Sequence, residues 1–118
     1  MINGFEEQTA ELGAEEMEIV KILVNRFRQK RGKEHILNNG QLCKALETHY
    51  NILTTEPRIR KVVQYIRNNN LLIGFIANSH GYYVANSTEE IQAWINTMEQ
   101  RRNAIDTTIQ KAKKHWGI

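Results

Sequence analysis

Apolar residues recur along this chain in three successive helical stripes, a β-rich stretch and a fourth, much longer helical stripe. Between Ala14 and Arg31, Met17, Val20, Leu23, Val24 and Phe27 follow three- and four-residue steps, and Gly32 stands where a helix would stop. A shorter helix is expected next, capped by Asn39, with Leu42, Ala45 and Leu46 on one face and a turn at Tyr50-Asn51-Ile52. In the third helix Thr54 or Thr55 supplies the cap and Pro57 sits in the first turn. Its stripe of Ile59, Val62, Val63 and Ile66 runs through to about Asn68. After Asn68-Asn69-Asn70 the period changes. Leu71 to Ala77 and Tyr82 to Ala85 flank Asn78-Ser79-His80-Gly81, a β-hairpin whose Gly81 accepts positive φ. Ser87 and Glu90 form a capping box, after which Ile91, Ile95, Met98, Ile105, Ile109, Ala112 and Trp116 keep steps of four and three, interrupted at Arg102.

These elements predict a mainly α protein with a small β-hairpin, an α+β fold of helix-turn-helix and wing. A helix of residues 88–115 would be roughly 42 Å long at 1.5 Å per residue, more than a compact domain of this size spans. The chain therefore divides into an acidic segment 1–13, a domain 14–86 and a C-terminal helix 87–118. The distal half of that helix needs another surface. It either packs on its twin in a homodimer, through Ile95, Met98, Ile105, Ile109, Ala112 and Trp116, or folds back after a break at Arg101-Arg102-Asn103, or binds a different protein.

Charge sharpens the picture. The net charge is only +3 in 118 residues, yet the first twenty hold six glutamates and no Lys or Arg, so the other 98 hold sixteen basic residues against seven acidic. On the third helix, the side opposite the apolar stripe carries Arg60, Lys61, Gln64 and Asn68, flanked by Arg58, Tyr65 and Arg67, with no acidic residue after Glu56. Guanidinium and ammonium groups suit phosphates and guanine, and Gln and Asn suit adenine edges, so this face predicts a double-stranded DNA partner entered through the major groove. The acidic leader is a solvated tail or a transient cover for the basic face.

The run Ile76-Ala77-Asn78-Ser79-His80-Gly81-Tyr82-Tyr83-Val84-Ala85, with Glu89-Glu90, Arg101 or Arg102 downstream and the Arg58-Ile59-Arg60 to Ile66-Arg67 helix upstream, resembles winged-helix proteins of phages and prophages. The likeness covers about three quarters of the chain. It implies a winged helix-turn-helix fold and DNA binding in replication, transcription regulation or another phage process. It also implies that residues such as Arg58, Arg60, Lys61 and Gln64 approach the major groove, while Asn78, Ser79 and His80 at the hairpin tip rest on backbone or minor groove. The tip departs from a strongly basic wing in having no Lys or Arg.

Other chemistry is scarce. His35, His49, His80, His115 and Cys43 show no paired ligand spacing, the seven glycines form no phosphate loop, and Glu89-Glu90 reads as helix-dipole complement. No metal, cofactor or enzymatic activity is expected, and Cys43 is expected to be a small buried thiol. The single cysteine, the absence of a long apolar run and an N-terminus without an apolar core suggest a cytoplasmic protein. Two other readings remain. One is a protein-interaction adaptor built on a winged-helix scaffold, holding a partner through the last helix. The other is single-strand or RNA binding, for which Tyr65 and Tyr83 are the stacking candidates.

Overall fold

The computed structural model describes residues 11–118; the expected acidic segment lies, up to residue 10, outside them. The elements are α1 (Ala14–Gln29), a single 3-10 turn (Lys33–His35), α2 (Asn39–Tyr50), α3 (Glu56–Asn68), β1 (Phe75–Asn78), β2 (Gly81–Val84) and α4 (Thr88–Trp116). This is the mainly helical α+β order with one hairpin and a long final helix. No helix among the described residues is long and apolar enough to cross a membrane. The chain separates into two units, dividing between Asn86 and Ser87.

In the first unit the three apolar stripes meet. Ile19, Val20, Leu23 and Phe27 of α1, Leu42 and Leu46 of α2, and Ile59, Val62, Val63 and Ile66 of α3 form one core, closed by Val84 of β2. Each side chain removed from water here contributes roughly 1.5–3 kcal/mol, so the stripes on three short helices suffice to hold them together. Phe27 packs against Phe75 as a tilted pair with ring centroids 5.3 Å apart, which carries the packing into the hairpin.

Local chemistry sets the boundaries, sometimes a residue or two from where periodicity alone places them. Helix α1 stops at Gln29, short of Arg31. Lys30 leaves helical dihedrals at φ −121°, and Gly32 opens the 3-10 turn at φ +110° instead of capping the helix. Helix α2 is capped by Asn38, one residue before the expected Asn39. The Asn38 side chain accepts from the Gln41 amide at 2.8 Å, and the Gln41 side chain answers at 2.9 Å on the Asn38 amide. Asn51, in the left-handed conformation at φ +54°, ends it. Of the two candidate caps for α3, Thr55 accepts from the Arg58 amide. The apolar run Leu71–Gly74 stays outside the strands, Leu71 returning its amide to Ile66 instead. Cys43 is half-buried against the core, and burial, reinforced by Glu56, raises its pKa.

The hairpin pairs Phe75 with Val84, Ile76 with Tyr83, Ala77 with Tyr82 and Asn78 with Gly81, leaving Ser79-His80 as a two-residue tip. The Asn78 side chain accepts from the His80 amide at 2.7 Å and shapes the turn. The hairpin is anchored by the segment before α2. Leu37 and Tyr82 exchange two backbone hydrogen bonds, at 3.0 and 2.8 Å, and the Gly32 amide donates to Val84 at 2.7 Å. Gly81 makes this approach possible: it sits at φ +136°, and a Cβ there would run into the Leu37 carbonyl.

The Gly81→Ala variant is therefore expected to lose about 2 kcal/mol or more in urea unfolding, since backbone strain and the clash with Leu37 act together. Exposed Ser79→Ala at the tip should stay within about 0.5 kcal/mol of the parent.

Candidate nucleic-acid interface

The predicted reading face of α3 is present in part, and turned. The core and α1 between them fix how α3 is rotated. Ile59, Val62, Val63 and Ile66 are buried as the spacing predicts, but so is Lys61, at 7% exposure. Its Nζ donates to Glu16 Oε1 at 2.9 Å and to the Glu11 carbonyl at 2.8 Å. Arg58 lies on the same flank, 3.7 Å from both Glu15 and Glu16. Lys61 and Arg58, expected among the groove-facing cations, are thus paired with α1 carboxylates. Tyr65 is half-buried against the core on that side as well, and Tyr83 is buried, so neither offers an open stacking face. The reason is geometric: at 100° per residue, 58, 61 and 65 fall on the side where α1 packs.

Glu16 is the centre of this flank. At 6% exposure it accepts from the Gly13 amide at 3.0 Å as well as from Lys61. Burial desolvates its carboxyl and acts to raise the pKa, but the Gly13 amide, the Lys61 ammonium and the Arg58 guanidinium together hold it below the ordinary 4.5.

What remains open to water is a narrower ridge. Arg60, Gln64, Arg67 and Asn68 are all exposed and fall within about 100° of arc. Among the described ion pairs, Arg60 and Arg67 take part in none. Glu56, the acidic residue one turn before Arg60, turns toward α2: its Oε2 lies 4.0 Å from where a Cβ on Gly40 would stand. The positive end of α2 suits a carboxylate there. Gln64 donates to Asn68 Oδ1 at 2.9 Å. That exchange holds both amides in place and leaves the Gln64 oxygen and the Asn68 Nδ2 for an outside partner.

The ridge forms one wall of a groove whose other wall is the hairpin. Arg60, Gln64 and Arg67 face Ala77 and Tyr82 across it, and Lys61 and Val63 line it as well. Arg67 also lies over the Phe75 ring at 5.8 Å, which positions its guanidinium beside the groove. Tyr82, which the sequence reading left out of the site, donates its hydroxyl to Asn39 Oδ1 at 2.7 Å. Burial raises the Tyr82 pKa, only partly offset by Asn39, Arg60 and Arg67, so the wall stays a neutral phenol at physiological pH. The alternation in Tyr82-Tyr83 carried the signal: on a strand, adjacent aromatics point to opposite sides, one to core and one to groove. Asn78, Ser79 and His80 are exposed at the hairpin tip. They stand apart from the groove-lining set and bring polar groups but no fixed cation.

No protein-family model, curated protein or solved structure matches the chain. The geometry of this face is what its functional reading rests on.

The buried pair makes a sharp test. Glu16→Gln leaves Lys61 without its anion and should cost about 3 kcal/mol in urea unfolding, whereas Glu16→Leu combined with Lys61→Met should recover at least half of that. The native carboxyl has a lowered pKa, so its contribution is complete above the ordinary 4.5 and lost as pH falls through the lower folded value. The parent should lose stability on acidification below about pH 4.5 more steeply than the doubly substituted chain, read by unfolding midpoints across that range.

Proposed function

We propose that the protein binds double-stranded DNA, with the exposed ridge of α3 in the major groove and the hairpin as a wing beside it. The observation that carries this reading is the segregation of charge on one helix. Arg58 and Lys61 are matched by α1 carboxylates, while Arg60 and Arg67 are left unmatched in a groove that also presents the Gln64 amide, which Asn68 holds in place. A helix diameter of about 10–12 Å fits a major groove about 12 Å wide. Two guanidinium groups two helical turns apart, about 10 Å along the axis, suit phosphate oxygens or guanine, and Gln64 with Asn68 suits adenine.

The roles divide accordingly. Arg60 and Arg67 supply affinity, Gln64 and Asn68 supply discrimination, and the polar wing tip adds hydrogen bonds to the sugar-phosphate backbone through Asn78 and Ser79. With an uncharged wing, the salt dependence of binding falls mainly on α3. A place in transcription regulation or replication of a phage or prophage fits this reading.

Fluorescence anisotropy with duplex fragments at several salt concentrations tests it. Arg60→Ala and Arg67→Ala should each lower the salt slope by about one, and Gln64→Ala should flatten preference among duplexes by about 1–3 kcal/mol. The Glu16→Leu, Lys61→Met pair should leave the slope unchanged, because Lys61 neutralises no phosphate. Absence of salt-dependent duplex binding by the parent chain would overturn the assignment.

A further inference from the structure

Helix α4 is 29 residues long, from the Ser87 cap to Gly117 in the left-handed conformation, and none of its residues is buried. A helix about 44 Å long with no buried face is unusual in water, where helices draw most of their stability from packing. Its surface is nevertheless strongly sorted. Met98, Arg102, Ile105, Ile109, Ala112 and Trp116 follow one another at alternating steps of four and three, and the same steps reach back to Ile95 and Ile91. Ile105 is 62% exposed and Trp116 83%. The opposite side is polar, with Gln100, Asn103, Thr107, Gln110 and Lys114. Such a strict two-in-seven seam drifts around a straight helix and is kept in line by a left-handed supercoil with another helix, whereas a helix lying on a globular core carries a broader stripe.

We infer that the Met98–Trp116 seam pairs with the same seam of a second copy, as a parallel, in-register two-stranded coiled coil. The charges beside the seam select this partner and this direction. One flank carries Glu99, Asp106 and Lys113; the other carries Arg101, Thr108 and His115. In a parallel symmetric pair each flank faces the opposite flank of its twin, so Arg101 meets Asp106 of the second copy, and the contact occurs twice. In the antiparallel register that pairs Glu99 with Lys113, Asp106 would face Asp106 of the twin and Arg101 would find no carboxylate across the seam. Arg102 is the one charge within the seam. Its long side chain reaches water past the edge of a two-stranded coil, and Glu99 and Asp106, three and four residues away, offset its charge along its own helix. A single polar residue at such a position fixes register at a cost in stability. The inference uses none of the residues of the α3 ridge.

Sedimentation equilibrium of the full chain over a wide concentration range tests it. The apparent mass should rise from 13.8 kDa toward twice that value. Ile105→Glu should abolish the rise, and Arg101→Asp should weaken association about tenfold, with Asp106→Arg added to it restoring the parent behaviour. In a Cys43→Ser background, Ala112→Cys should oxidise to a covalent dimer, because facing seam residues are equivalent in a parallel coil. A mass of one chain at every concentration, a dimer indifferent to Ile105→Glu, or a dimer that fails to cross-link through Ala112→Cys would overturn the proposal. Duplex binding measured on the Ile105→Glu chain is read separately: retained affinity there shows that a failed dimer leaves the α3 reading untouched.

Discussion

The packing of the α3 stripe on the core and α1 decides which way α3 faces, and the buried contact between Lys61 and Glu16 is the constraint that packing must satisfy. An ammonium and a carboxylate, both nearly removed from water, are tolerated only when they meet each other and their remaining hydrogen-bonding capacity is used. The Gly13 amide and the Glu11 carbonyl supply that remainder. With the apolar stripe buried and the pair made, α1 and α3 share one register. Arg58 is drawn to the same carboxylates, and the arc of Arg60, Gln64, Arg67 and Asn68 is left in water. A slip of one residue along α3 would bury Arg60 and strand Glu16, and the low dielectric makes that arrangement costly.

This division gives the basic helix two electrical characters. The α1 side is close to neutral, since its cations lie 2.9 to 3.7 Å from carboxylates. The hairpin side carries guanidinium groups whose nearest neighbours are an aromatic ring, a phenol and amides. The exposed guanidinium groups of α3 thus lie along one narrow strip. The hairpin shapes that strip without adding charge. It is held close by the Leu37–Tyr82 exchange, which Gly81 permits, and it places Tyr82 and Ala77 as an uncharged wall opposite the arginines.

Helix α4 obeys a different economy. In the first unit, apolar stripes meet one another within the chain and disappear from solvent. In α4 an equally regular stripe stays exposed over its distal half while polar residues occupy the far side. The two patterns differ in width. Core helices bury positions such as 59, 62, 63 and 66, whereas the α4 seam keeps to single positions at strict four-three steps. Such a narrow line matches another helix better than it matches a rounded core.

Much of the fold was legible from the chain alone. Stripe spacing located the four described helices, the change of period after Asn70 located the hairpin, and side-chain oxygens near the starts of α2, α3 and α4 marked their caps to within a residue, because these signals depend on neighbours three or four positions away. The site was legible only in part. Periodicity showed that residues 58 to 68 have a basic side, but it treats every cation on that side alike, so Lys61 and Arg58 were grouped with Arg60 and Arg67. Nothing in the local pattern relates Lys61 to Glu16, forty-five positions earlier. Only the packing of α1 against α3 brings that carboxylate within reach, where it pairs with the buried Lys61 and the half-buried Arg58. Tyr82 entered the site for the same reason: its role depends on a strand lying across from α3. Short-range chemistry set the elements; long-range electrostatics and packing, which exist only in the folded chain, decided which of their charges face the solvent.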